Sequence, residues 1–179
     1  MTFLDVRPTS GEYAPYYARY IDLVPEGSVV ETLRRQIAGT SAMLKGLPVE
    51  KAGHRYAPGK WSVKEVVGHL ADAERVFAYR ALRFARNDAT PLPGFDENAY
   101  AASASYDARL LADVLAEFVA VRAATAALFT TFDETAFGRQ GIANGVPVSV
   151  RALAWIIAGH ELHHRAILRD RYLTGAREA

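Results

Sequence analysis

Four stretches of this chain place apolar residues at alternating steps of three and four, the period of one face of an α-helix. In the first, the stripe is Val30, Leu33, Ile37, Leu44 and Leu47. In the second, it is Val63, Val66, Val67, Leu70, Phe77 and Phe84. The third carries Leu111, Val114, Leu115, Phe118, Val121, Thr125, Leu128 and Phe129, and the fourth Leu153, Ile156, Ile157, His160, His164, Ile167 and Leu168. An amphipathic helix of about 20 residues cannot bury its stripe alone, so four of them predict an all-α four-helix bundle.

The ends of these helices are marked. Ser28 with Glu31, and Ser62 with Glu65, have the spacing of a capping box, in which each side chain takes the other residue's free backbone N–H. Ser149 is the expected cap of the fourth helix, and Asp107 the expected start of the third. The first helix should stop near Gly46 and Pro48, the second near Arg86, and Gly175 lies past the end of the fourth. The connections are long, roughly 15 to 20 residues where bundle loops usually take 2 to 8. Such lengths can cross a bundle from end to end, so simple up-down-up-down wiring is not required. The segments "NDATPLPGFDENAYAASASY" and "FGRQGIANGVPVSV" are long enough to roof a site, and "ANGV" predicts a hairpin turn between two short strands. Ahead of the first helix, Tyr13, Tyr16, Tyr17 and Tyr20 fall at helical spacing and are expected to pack on the bundle.

The 179 residues fit one domain, 1–179. A net charge of +1 with scattered basic residues gives no pull toward nucleic acid. No apolar run approaches the length of a membrane span, and the N-terminus lacks a signal pattern, so a cytoplasmic location is expected. There is no cysteine, hence no disulfide, no thiolate zinc site and no cysteine nucleophile. The partner to look for is a small-molecule substrate.

Three of the five histidines lie in "GHELHHRAIL", residues 159–168. On a helical wheel His160 and His164 are about 40° apart and share the stripe of Leu153 and Ile157, while His163 turns about 60° the other way. Residues four apart bring their side chains within about 6 Å, close enough for two imidazoles to meet one ion. A third ligand would come from elsewhere, and only His54, in a loop, and His69, at the edge of the second helix's stripe, remain. Two charges also face inward: Glu74 between Leu70 and Phe77, and Arg122 between Phe118 and Thr125. Buried charges need partners, so these two either pair with each other or face a metal cavity, Glu74 as a proton shuttle and Arg122 as an anchor for an acidic group. Asp72 falls further round and is expected to be solvated. Trp61 is expected to cover the bundle end.

The stretches "APGKWSVKEVVGHLADAERVFAYRALRFAR", "TPLPGFDENAY" and "GHELHHRAIL" resemble the DinB/YfiT-like superfamily of metal-dependent enzymes, over roughly residues 25–173. The resemblance implies up-down-down-up wiring and a divalent metal, zinc or nickel first, with iron, copper or manganese as further candidates. The positions matching the family's ligands are His69, His160 and His164; nothing carries over for His54 or His163. It also implies homodimers. Relatives of this kind include enzymes that use bacillithiol or mycothiol. The leading expectation is therefore a thiol-dependent S-transferase, with a low-molecular-weight thiol as cosubstrate, in which the metal activates the thiol. A metal-dependent hydrolase using bound water, with Glu74 as its base, is the alternative. A non-catalytic metal- or ligand-binding bundle, its fourth coordination position blocked by a side chain such as His163, is the third. For any metal role, affinity is expected to fall below about pH 6.5, where free imidazole protonates.

Overall fold

The computed structural model describes residues 5–173; Gly175, expected beyond the last helix, lies outside them. Its helices are α1 (Ala18–Ile21), α2 (Val29–Leu44), α3 (Val49–Ala52), α4 (Val63–Ala85), α5 (Glu97–Ser103), α6 (Leu111–Thr130), α7 (Glu134–Gly138) and α8 (Val150–Ile167), the last extended by a wider turn over Leu168–Leu173. The four long ones, α2, α4, α6 and α8, are the four predicted stripes. Two strands, β1 (Gln140–Ala143) and β2 (Val146–Ser149), form the expected antiparallel hairpin. Its turn is Asn144–Gly145, with φ of 53° and 76°, the left-handed pair that makes a two-residue loop follow the strand twist.

The side-chain pairings give the wiring. Lys64 bonds the carbonyl of Arg109, Glu74 meets Arg122 and Arg75 meets Glu117, so α4 and α6 run parallel. His69 meets His160, and Trp61 meets Tyr172, so α8 runs against α4. Arg34 bonds the Thr130 hydroxyl at the far end of α6, while Leu44 and Lys45, at the end of α2, share a cavity wall with Leu111 and Leu115 at the start of α6, so α2 runs against α6. The bundle is up-down-down-up. Parallel α4 and α6 explain the long loop: the chain leaves α4 at one end and must return along the bundle, over 86–110, to start α6 at the other.

The Ser62–Glu65 box is complete, with both reciprocal bonds. The Ser28 box is half made: Ser28 takes the Glu31 N–H, but Glu31 turns to Arg34 instead of the Ser28 backbone. The start of the third helix is corrected from Asp107 to Leu111. Asp107 sits in a preceding 3-10 turn and spends its carboxylate on Ser62 and Arg55, a tertiary bond in place of a local cap. Asp72 is also corrected: it is half-buried and accepts the Tyr106 hydroxyl at 2.6 Å.

α8 is buried on all sides from Val150 to Glu161, more than a one-face stripe would give. Its outer face is covered by α1, which comes so close that a Cβ on Gly159 would stand 2.0 Å from the Tyr20 carbonyl oxygen. Only glycine permits that approach, and it sets Tyr20 beside His160. The predicted tyrosine packing is thus realised by Tyr20, which is buried, and by the half-buried Tyr13 and Tyr17, while Tyr16 stays exposed.

Candidate metal centre

The antiparallel crossing of α4 and α8 brings their histidines to one point. His69 Nε2 lies 3.1 Å from His160 Nε2. Ring centroids are 4.9 Å apart for His69 and His160, 5.0 Å for His69 and His164, and 4.6 Å for His160 and His164. One ligand nitrogen from each of the three lies within 4.8 Å of the others. His69 and His160 are buried and His164 half-buried. Among the described residues, no other histidine, aspartate or glutamate joins this group.

The donor set fits a metal ion. Two nitrogens bound tetrahedrally at about 2.0–2.1 Å stand about 3.3 Å apart, close to the observed separation of His69 and His160. Two imidazole nitrogens that near each other repel unless a proton or a cation lies between them. Burial also keeps the rings in the ligand form. It pushes His69 down to about 4. Burial, then the neighbouring His69 and His163, pushes His164 down to about 3, and His160 is lowered well below the ordinary imidazole value by burial and by the rings around it. All three are neutral at pH 7, with lone pairs free. Three neutral imidazoles without a fourth protein donor are the arrangement that leaves a coordination position open.

Aromatic rings enclose the group. The Trp61 ring lies 4.6 Å from His69, tilted 45° to it, and Tyr172 donates to the Trp61 carbonyl. Trp61 thus covers the bundle end by covering a histidine. Phe77 and Tyr20 lie edge-on to His160 at 6.1 and 5.3 Å. A cavity of about 240 Å³ opens on the His164 side, lined by Tyr56, Lys60, Trp61, Asn98 and Tyr172.

Glu74 and Arg122 are brought together with each other. Arg122 Nε and Nη2 bond the two Glu74 oxygens at 2.8 and 2.7 Å, and Nη1 bonds Glu161 at 2.5 Å. Burial works against the Arg122 charge, but the two carboxylates more than offset it and hold the group above its ordinary value. All of its nitrogens are spent, and Arg122 is 1% exposed. Of the two readings open for this pair, the geometry is that of mutual pairing, and neither side chain is part of the histidine group.

His163 packs on Tyr20 and His164 at 5.2 Å and is not among the converging donors, so it does not block the centre. His54 lies on an exposed loop near the Tyr172 ring. Sequence reading passed over Glu161, which also takes bonds from Gln36 and Thr40, and over Arg80. The signal was present: Glu161 is four residues after Ile157, on the apolar stripe, and Arg80 is three after Phe77.

The DinB superfamily model matches residues 32–168. The chain belongs to the DinB superfamily. This DinB-superfamily chain is also similar in structure to YfiT from Bacillus subtilis, with a TM-score of 0.69 and 18% identity over 93% of this chain and 91% of that one. YfiT is described as a probable metal-dependent hydrolase with an unusual four-helix bundle topology. At that identity the likeness establishes the fold, and the up-down-down-up wiring agrees with it. No protein of curated function matches the chain. Among the described residues, no helix is long and apolar enough to cross a membrane.

Proposed function

We propose that this chain is a metal-dependent enzyme in which His69, His160 and His164 hold one divalent ion, zinc or nickel first, and that it transfers a low-molecular-weight thiol such as bacillithiol or mycothiol to an electrophile. The observation that carries the reading is three neutral imidazoles from two rigid helices converging beside a cavity, with no fourth protein donor among the described residues. When bound, the ion supplies Lewis acidity that lowers the pKa of a coordinated thiol or water. The protein's own residues do the rest. Burial keeps the imidazoles unprotonated, Trp61, Phe77 and Tyr20 fix the ring planes and shed water, and Tyr56, Lys60 and Asn98 line the entrance through which a guest reaches His164.

The carboxylates favour a thiol over water. Glu74 and Glu161 are both committed to Arg122, so a water nucleophile has no free carboxylate in the donor group to receive its proton. A thiol, with an unperturbed pKa of about 8.5 against about 15.7 for water, needs no such base once a cation is near. The chain has no cysteine, so the thiol comes from outside. Hydrolysis is the second reading, favoured by the description of YfiT.

The test is an assay of metal-loaded and chelator-stripped protein with bacillithiol, mycothiol or glutathione against an aryl halide, in which the sulfur–carbon bond forms as halide leaves. Metal-dependent conjugation is expected. No conjugation with any of the three thiols would remove the transfer reading, and metal-dependent ester cleavage without thiol would establish the hydrolytic one.

A further inference from the structure

A second cavity, of about 390 Å³, is lined by Tyr16, Tyr17, Arg80, Phe95, Glu97 and Asn144. Phe77 joins it to the histidines: the same ring that packs on His160 packs on Tyr17 and Phe95, at 6.3 and 6.5 Å. The walls are built without a ligand, because the loop before α5 is pinned to the hairpin by bonds from Leu92 N–H to Ile142 and from Asn144 N–H to Leu92, at 2.9 and 3.0 Å.

Arg80 is the unexplained group here. It is 4% exposed. Its Nη2 donates to the Pro93 carbonyl at 2.7 Å, the Tyr17 phenol is in reach, and the Phe77 and Phe95 rings stand 5.8 and 5.9 Å away. Arg122 and Arg151, the other buried arginines, each pair with a buried carboxylate; Arg80 makes no ion pair among the described residues, and the carboxylate lining its cavity, Glu97, is exposed. A guanidinium has five N–H donors, and binding one carbonyl needs only a neutral amide. Burial without a carboxylate lowers the Arg80 pKa, with only Tyr17 opposing it. A charge held at that cost and aimed into a cavity calls for an anion from outside.

We infer that this cavity is a subsite for the carboxylate of a small organic acid whose apolar or aromatic body lies against Tyr17 and Phe95. A carboxylate matches the planar fork of one guanidinium. The exposed Glu97 on the rim repels a doubly charged phosphate more than a singly charged acid. One phenyl ring, Phe77, separates the acid's anchor from the histidines, so the subsite lies beside the candidate centre; its use by a molecule acted on there is the one step that rests on the proposed enzymatic reading.

The experiment is a titration of the whole protein, metal-free and zinc-loaded, with benzoate, benzamide and phenyl phosphate, followed by amide NMR shifts. Saturable benzoate shifts confined to the segments of Tyr16–Tyr17, Phe95 and Asn144, with benzamide at least tenfold weaker, are expected. Arg80→Gln keeps a donor for Pro93 and should weaken benzoate at least tenfold while the metal content stays unchanged. Benzamide binding as tightly as benzoate, or a folded Arg80→Gln binding benzoate as well as the wild type, would overturn the inference. Phenyl phosphate binding more tightly would overturn the choice of carboxylate. Should Arg80→Gln not fold, Val146→Trp fills the cavity from the hairpin; it should abolish benzoate binding, and unchanged binding there is equally fatal. A protein that binds benzoate at Arg80 but never binds metal keeps this subsite and loses the enzymatic reading.

Discussion

Two groups of buried polar side chains sit side by side on α4 and α8, and they are completed in opposite ways. In one, Arg122 divides its nitrogens between Glu74 and Glu161, and Glu161 takes further bonds from Gln36 and Thr40. The charged atoms there find their partners within the protein. In the other, one residue away on α8 and five away on α4, His160 and His69 face each other as neutral rings, Nε2 to Nε2 at 3.1 Å, and His164 adds a third ring nitrogen. Both lie in the same low-dielectric interior, where an unmet polar group is expensive. A saturated cluster ties helices together; one whose ring nitrogens meet only each other is unsaturated, a donor set that a cation would complete. The contrast also shows what Glu74 and Arg122 are bonded to, which their inward position on a helical wheel could not.

The largest effect should come from breaking the saturated group. Arg122→Ala strands two buried carboxylates and should cost about 3–5 kcal/mol in urea denaturation. The unsaturated group should behave in the reverse sense, gaining when a partner is supplied. Zinc at a thousandfold excess over its Kd should stabilise the wild type by about 4 kcal/mol, and His69→Ala should lose that gain while keeping its metal-free stability within a much smaller margin.

Protons should separate the groups next. An imidazole near 6.5 in the unfolded chain and about 4 for folded His69 means that the unfolded state binds the proton first. Stability of the metal-free protein is therefore whole above pH 6.5 and lost as pH falls toward 4, by roughly 3 kcal/mol for His69 alone. Thermal melts across that window check it, and a flat profile would contradict the buried, neutral assignment. The same burial moves proton competition in the folded protein well below the pH 6.5 expected of free imidazole. The smallest effect belongs to Thr40→Val, which removes one hydroxyl from the Glu161 carboxylate at constant shape. It should cost about 2 kcal/mol and leave metal content untouched.

The legible parts of the molecule were those written locally. Ser62 and Glu65 announce α4 because both halves of the box lie within one turn, and Asn144–Gly145 announces the hairpin because its left-handed backbone needs those residues. His160 and His164 could be placed inward from one helix's periodicity. His69 stood on the edge of its wheel, and its role became visible through the superfamily resemblance and then through the crossing of α4 with α8. What stayed hidden was set by neighbours distant in sequence. Asp107 reads as a helix cap until Ser62 and Arg55 claim it. Glu161 reads as one more charge in a histidine-rich stretch until α2 and α6 deliver Gln36, Thr40 and Arg122. The full burial of α8 depends on α1 folding across Gly159, which no periodicity within α8 encodes.

The most direct measurement is metal content by elemental analysis, made on wild-type protein and on His160→Ala after incubation with zinc and nickel and removal of the excess. One ion per chain in the wild type, and none in a variant whose helical circular dichroism is intact, is the predicted result. A wild type that retains neither metal, or a variant that retains the wild-type ratio, would contradict the claim that these three imidazoles form a metal centre.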